Sequence, residues 1–510
     1  MLARMYGSAA RLATRNRPIA LPTLPSLSNA NNINLRLDAD VQRRTMQDTA
    51  FADGLRGIAA LYVVASHLVL CYARALVNPC CAPGSEQPQL LQRPIFRLFA
   101  SGHSWVAVFF ILLGFVNSLK PISLIRNEQV DTAASKLAAS SLSRIFRLFF
   151  PATFATVGSW FICQFGLYEM ARHSDAFWLQ VNTPAASPNI FAAIGDLRDA
   201  LINTWKFGGD NQYDQPQWAI IYLLQGSLMT IIALLVTANM TSLWRTVSLC
   251  LLALSSVNWS HVTLDPYIGL ACFGGIIMAE SSVSATPAQL TTISPYLSPP
   301  IAIFALVLMS YPSEHPEGSP WSASLQSFAL TTFGDLNIER LYGTIGGLFL
   351  LLSIIISPHA RHLLSRPPLR WLGKVSFAIY LLHGTLLRSL FAWLLHFGTQ
   401  MEEFQEFESK GDGWKGDGWA GEVLVSHMRY PVPSFFRCCV ATTVSMAAIL
   451  AASHLWSEKV EPVCASLTGA VEKLVKGKLS KEEALDVISV GSRTPLLEEK
   501  GGLLLPIRQD

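Results

Sequence analysis

The sequence predicts an all-α protein: a polytopic membrane helix bundle of about ten transmembrane helices with both termini cytoplasmic. Three observations carry this. Of 510 residues, 51% are hydrophobic and 14% charged, against roughly 25% charged in a soluble domain, which is too little charge to coat a water-facing surface. Ten apolar runs reach or approach the roughly 17–25 residues that cross about 30 Å of hydrocarbon. The basic residues between those runs collect on one side. The same composition excludes a disordered or fibrous chain, and a net charge of +3 gives no footing for a nucleic-acid partner. Nine cysteines without a CxxC form no paired-spacing framework.

The ten runs lie near 55–76, 103–119, 146–167, 218–239, 244–258, 266–281, 299–311, 341–357, 372–395 and 435–456. The fifth, sixth and seventh are the shortest. Short cytoplasmic loops gather Lys and Arg, and the loop charges test the count. Basic clusters occupy the N-terminal arm (Arg4 to Arg44), the loop after run two (Lys120, Arg126, Lys136, Arg144), the loop before run nine (Arg361, Arg366, Arg370, Lys374) and the tail (Lys459, Lys473, Lys476, Lys478, Lys481). With ten spans all four fall on one side. The opposite loops, 312–340 and 396–434, carry more acid, Pro and Gly.

Three segments follow: 1–50, a disordered basic arm; 51–465, the membrane domain; and 466–510, a polar cytoplasmic tail. The arm has no acidic residue before Asp38, a composition shared with mitochondrial presequences. Pro18, Pro22 and Pro25 interrupt any helix there, and no stretch has signal-peptide length, so a cytosolic arm obeying the positive-inside rule is the expectation. The expected location is an endomembrane or the plasma membrane, with mitochondria the alternative. The duplicated Lys-Gly-Asp-Gly-Trp at 410–414 and 415–419 reads as a tandem repeat in a tolerant loop.

Ionisable residues inside spans are costly and mark function by default. Run one is the richest. Arg56 and His67 are eleven positions apart, three helical turns and about 16 Å of rise, so they share a face; Asp53 lies close to it. An Arg at the cytoplasmic end of that face can hold a phosphate, and a mid-membrane imidazole can move a proton; an interfacial anchor and a hydrogen-bonded bundle residue are the structural alternatives. Arg144 and Arg147, with Pro151 one turn on, form either a snorkelling pair or an anion site. In run nine Ser376, Tyr380 and His383 follow an i, i+4, i+7 stripe, aiming a hydroxyl, a phenol and an imidazole inward. No HExxH, Walker loop or GxSxG occurs, so no metal is expected.

These residues carry a resemblance. Asp53-Gly-Leu-Arg-Gly-Ile-Ala through His67 resembles the signature of the acyltransferase 3 family, membrane enzymes that O-acylate carbohydrates, lipids and small metabolites. Further matches follow in the family's order: Gly-His-Ser-Trp-Val-Ala-Val-Phe-Phe-Ile-Leu-Leu-Gly-Phe at 102–115, Arg144-x-x-Arg147-Leu-x-x-Pro151, Gln217-Trp218 through Gly226-Ser227, Ser376-Phe-Ala-Ile-Tyr380-Leu-Leu-His383-Gly384, and Trp456 through Glu461-Pro462. Together they span about 50–465 and resemble fungal members. Two positions depart: Leu113 stands where the family has Ser, and Leu223 where it has Glu. The second removes a carboxylate partner for His67 unless Asp53, Glu280 or Glu461 approaches.

The resemblance implies an O-acyltransferase that moves an acyl group, most simply acetyl, from acyl-CoA to a hydroxyl of a small metabolite, with a secondary metabolite the favoured acceptor and a carbohydrate or lipid the alternative. His67 would be the catalytic base. Arg56, Arg144 and Arg147 would meet the CoA phosphates, and Tyr380, His383, Ser376 and Trp218 would line the acceptor side. Acyl-CoA is a co-substrate, with no bound cofactor expected, and the remaining partner is the lipid bilayer. A multispanning transporter and a degenerate, non-catalytic family member are the competing readings. The chain shows no repeat between its halves of the kind many transporters carry.

Overall fold

The computed structural model describes residues 27–80, 87–259, 267–284, 287–334, 337–409 and 422–477. The chain divides into residues 1–48 and 49–510. Of the first unit, residues 27–48 are described and are helical. Pro25 is the last proline before Pro79, so nothing in this stretch breaks a helix; the expectation of a disordered arm otherwise falls on residues 1–26, outside the described residues. The tandem repeat and residues 478–510 also lie outside them.

The helices are α1 (Leu27–Tyr72), α2 (Gly102–Arg126), α3 (Val130–Gln164), α4 (Glu169–Arg172), α5 (Phe177–Val181), α6 (Ile190–Asn203), α7 (Ala219–Val236), α8 (Ser242–Ser255), α9 (Ile268–Ser284), α10 (Pro287–Met309), α11 (Pro320–Phe333), α12 (Ile338–Ile356), α13 (Pro358–Leu364), α14 (Pro367–Leu386), α15 (Ala392–His396) and α16 (Phe435–Val475). A π-helical turn, Leu387–Phe391, joins α14 to α15. The described strands are one antiparallel hairpin, β1 (Glu402–Ser409) and β2 (Glu422–Arg429), pairing Glu402 with Arg429.

Among the described residues, seven helical segments are long and apolar enough to cross a membrane: Thr49–Tyr72, Gly102–Arg126, Val130–Gln164, Gln215–Val236, Ile338–Ile356, Pro367–His396 and Phe435–Val475. The chain is therefore an all-α, multi-pass membrane protein. Shorter apolar helices cover Ile268–Val283 and Tyr296–Met309, where runs six and seven were already short, and α8 covers run five. Two helices outrun their hydropathy. α3 begins at Val130, well before run three, and α16 continues through Pro462 to Val475. The expected domain boundary at 465 thus falls inside α16, because Glu461, Cys464 and Thr468 keep one face buried beyond the apolar stretch.

Local chemistry starts the helices where they start. The side chains of Asn189, Asn337 and Ser357 accept from the backbone N–H of Ala192, Arg340 and Ala360, which satisfies donors the first turn leaves open. Two of the bundle's close approaches are crossings at glycine. A Cβ on Gly114 would lie 2.2 Å from the Cys272 carbonyl oxygen, bringing α2 and α9 backbone to backbone. A Cβ on Gly373 would lie 2.1 Å from the Asp53 carbonyl oxygen, and one on Gly57 2.6 Å from the Gly373 nitrogen. Small residues allow such close packing where no hydrophobic drive separates helix from lipid, and the second crossing locks α1 to α14.

Candidate active site

The α1–α14 crossing places two imidazoles in contact. His67 Nδ1 lies 3.0 Å from His383 Nε2. His383 is fully buried, and its Nδ1 lies 3.0 Å from the Ile379 carbonyl and 2.8 Å from that of Tyr380. Both carbonyls only accept, so the proton of a neutral His383 sits on Nδ1. Its Nε2 is then an acceptor, and the His67 contact needs a proton on His67 Nδ1. These tautomers are assigned from the partners. Their consequence is that His67 Nε2 keeps its lone pair, and among the described residues nothing hydrogen-bonds it. The Trp178 ring from α5 stacks on His67 at 4.9 Å between centroids and holds the ring in place.

Three turns away on the same face of α1, Arg56 donates through Nε to Ser376 Oγ at 3.1 Å and through Nη2 to Asp53 Oδ1 at 3.1 Å and the Gly373 carbonyl at 2.9 Å. Ser376 in turn donates to the Gly373 carbonyl at 2.8 Å. Arg56 and Ser376 are thus brought together as a clamp between α1 and α14. Tyr380 donates its hydroxyl to the Pro216 carbonyl, tying α14 to the 3-10 turn Gln215–Trp218. Trp218 faces Arg340, whose guanidinium carbon sits 4.6 Å from the ring centroid, and packs edge-on to Tyr222.

The arginines of α3 stand apart from this cluster. Arg144 is buried, and its Nε and Nη1 have no hydrogen-bond partner among the described residues. Arg147 is partly buried and in electrostatic contact with Glu472 of α16. Leu113 is core, and Leu223 packs against the same core, so neither departure from the family pattern leaves a polar gap. The three carboxylates considered as substitutes are engaged elsewhere. Asp53 meets Arg56, Glu461 accepts from Ser457 at 3.2 Å, and Glu280 meets Arg245 at 3.0 Å, Ser242 at 2.5 Å and Arg126 at 3.3 Å. The partner of His67 is a second imidazole.

Sequence reasoning missed the group behind that imidazole. Arg388 and Asp214 form an ion pair at 3.6 Å with both side chains fully buried. Arg388 also donates to the carbonyls of Gly384 at 3.1 Å, Asn182 at 2.9 Å, Gln212 at 3.1 Å, and Tyr213. Asp214 Oδ2 accepts from Gln217 at 2.8 Å. Burial pushes the Asp214 carboxyl up to about 7, with the Arg388 guanidinium pulling the other way. The signal was present: Arg388 is an ionisable residue inside run nine. It lies five residues from His383, outside the i+3 and i+4 spacings of an α-helical face, and the π turn accommodates it there. Past that turn His396 Nε2 lies 2.9 Å from Ser174 Oγ, anchoring α15 to the segment between α4 and α5.

The profile of an acyltransferase domain, the acyltransferase 3 family, matches residues 49–451. The chain belongs to that family. Among relatives, an O-acetyltransferase of Phomopsis amygdali, PaAT-1, is 26% identical over 375 residues, covering 68% of this chain and 74% of its own. Acyltransferase R4 of a Phoma species is 24% identical, covering 69% and 86%. Acyltransferase clz18 of Cochliobolus lunatus is 24% identical, covering 68% and 85%. No solved structure matches the chain. Membership supports an acyltransferase, and the motif residues meet in two pairs along the α1–α14 crossing, Arg56 with Ser376 and His67 with His383, with the Tyr380 ring beside His383.

Proposed function

We propose that the protein is an acyl-CoA-dependent O-acyltransferase that acetylates a hydroxyl of a small metabolite, with His67 as general base. The observation that carries this is the tautomer chain from the Ile379 and Tyr380 carbonyls through His383 to His67, which leaves a lone pair on His67 Nε2. The acceptor hydroxyl gives its proton to Nε2 as its oxygen attacks the thioester carbonyl. The C–S bond breaks, and the imidazolium returns the proton to the departing CoA thiolate. His383 accepts the His67 Nδ1–H throughout, which spreads the positive charge formed on His67.

The donor enters from the side of the basic loops. Arg144 supplies the clearest anion site, since buried donors without a partner are costly and a phosphate oxygen would satisfy them. Arg147 one turn away adds charge, and Arg56 acts by holding α1 in register with α14. Ten spans with cytoplasmic termini fit this direction of entry. Residues 87–101 then face the opposite compartment. The named O-acetyltransferase among the relatives supports acetyl as the group transferred.

Purified protein with labelled acetyl-CoA and an extract of hydroxylated metabolites tests the reading. His67→Ala should lower kcat by about 10²–10⁴-fold while acetyl-CoA binding persists. Arg144→Ala should instead raise the KM for acetyl-CoA. Wild-type turnover in His67→Ala, or no transfer by the wild type to any acceptor, would overturn the proposal.

A further inference from the structure

Helix α6 is 14 residues long, about 21 Å at 1.5 Å per residue, too short to cross about 30 Å of hydrocarbon. It lies between two crossing-length helices, α3 and α7, so the connection that contains it stays on one side. Its inner face is ordinary core: Ala193 and Ala200 pack with Trp160, Cys163 and Tyr213, and Trp160 Nε1 donates to the Ala193 carbonyl at 2.9 Å. Its outer face is not that of a water-facing helix. Ile190, Ile194, Arg198 and Ile202 run down it at i+4 spacing, all exposed, and Phe191 beside them is 84% exposed. A helix on a soluble surface puts polar residues there.

The outer face continues a row of exposed aromatic residues on α3. Phe154 and Phe161 of α3 are exposed within a membrane-crossing helix, and Phe165 at its end is 79% exposed. Between α3 and α6 lies a groove of about 320 Å³, walled by Trp160, Phe161, Phe165 and Ile190, with Gln164 and Ser187 among its polar groups. We propose that α6 lies in the plane of the membrane, sunk in the leaflet at the C-terminal end of α3. Arg198 pairs with Asp199 at 2.8 Å, so the face is close to neutral. Apolar area rather than anionic headgroups holds it in place, at a depth of about 5–10 Å.

Spin labels on single cysteines at positions 165, 191 and 194 test this in the full-length protein, with exposed Cys250 and Cys439 replaced by serine. The protein is placed in nanodiscs of phosphatidylcholine, with or without phosphatidylglycerol. Oxygen should relax all three labels far more than a water-soluble nickel chelate, at the same depth in both lipids. Nickel accessibility above that of oxygen would place the helix in water and overturn the proposal. Exclusion of both reagents would also overturn it, assigning the face to a protein partner or a second copy. A depth that changes with phosphatidylglycerol would overturn the apolar account. Any one label that perturbs folding leaves the other two to decide.

Discussion

At the scale of single residues, the unusual group is Asp214. Its carboxyl is fully buried, and burial raises it from 3.8 to about 7. The folded protein therefore keeps a proton there over a pH range in which the unfolded chain has released it. The sign follows: the contribution of Asp214 to stability is greatest below pH 3.8, declines between 3.8 and about 7, and is lowest above that range. Asp214→Asn should remove this slope, read as Tm against pH in detergent micelles. An unchanged slope would assign the pH dependence to other groups. The imidazoles were legible in the sequence because both sit on α-helical spacings, Arg56 to His67 over three turns and Ser376 to His383 along one stripe. Trp178 was not, because it stands on a five-residue helix with no period to read, and stacks on His67 only through tertiary packing.

Among whole elements, the α1–α14 crossing decides the geometry of the site. The glycines at 57 and 373 let the two backbones touch, and the Arg56, Ser376 and His383 contacts follow from that register. A Cβ at position 373 would meet the Asp53 carbonyl oxygen at 2.1 Å, whereas one at Gly158 in α3 would meet nothing within 4 Å. Gly373→Ala should therefore cost about 1–3 kcal/mol as an overpacked contact. Gly158→Ala should be neutral or stabilising, because alanine loses less backbone entropy in a helix. Thermal unfolding of the two variants side by side checks this, and equal Tm values would count against the crossing. Hydropathy located the apolar centres of the helices well. It missed the polar beginning of α3 and the polar end of α16, which are held by one buried face rather than by apolar composition.

For the molecule as a whole, the basic loops give the orientation its physical basis, since Lys and Arg are retained on the cytoplasmic side. Reporters at residue 365 and at the C-terminus should read the same compartment. A tag in the 312–319 loop, where His315 is exposed, should read the other. Protease protection in sealed vesicles distinguishes these, and a shared compartment for all three would contradict ten spans. The sequence supported the membrane class and the family motifs across residues 50–465. It did not show which carboxylate would serve His67, because it could not reveal that Asp53, Glu280 and Glu461 are each bound elsewhere.

The π turn at Leu387–Phe391 makes the spacing along this stretch a matter of arithmetic. Such a turn is an α-helix carrying one surplus residue. Deleting a single residue between that turn and His396, with the π turn kept, would rotate everything beyond the deletion by about 100°. His396 would swing away from Ser174 while His383, upstream, kept its place. The hydropathy profile would scarcely change, yet α15 would lose its anchor. Between His383 and His396 the number of residues therefore matters as much as their identity, in contrast to the loop nearby that carries a five-residue duplication.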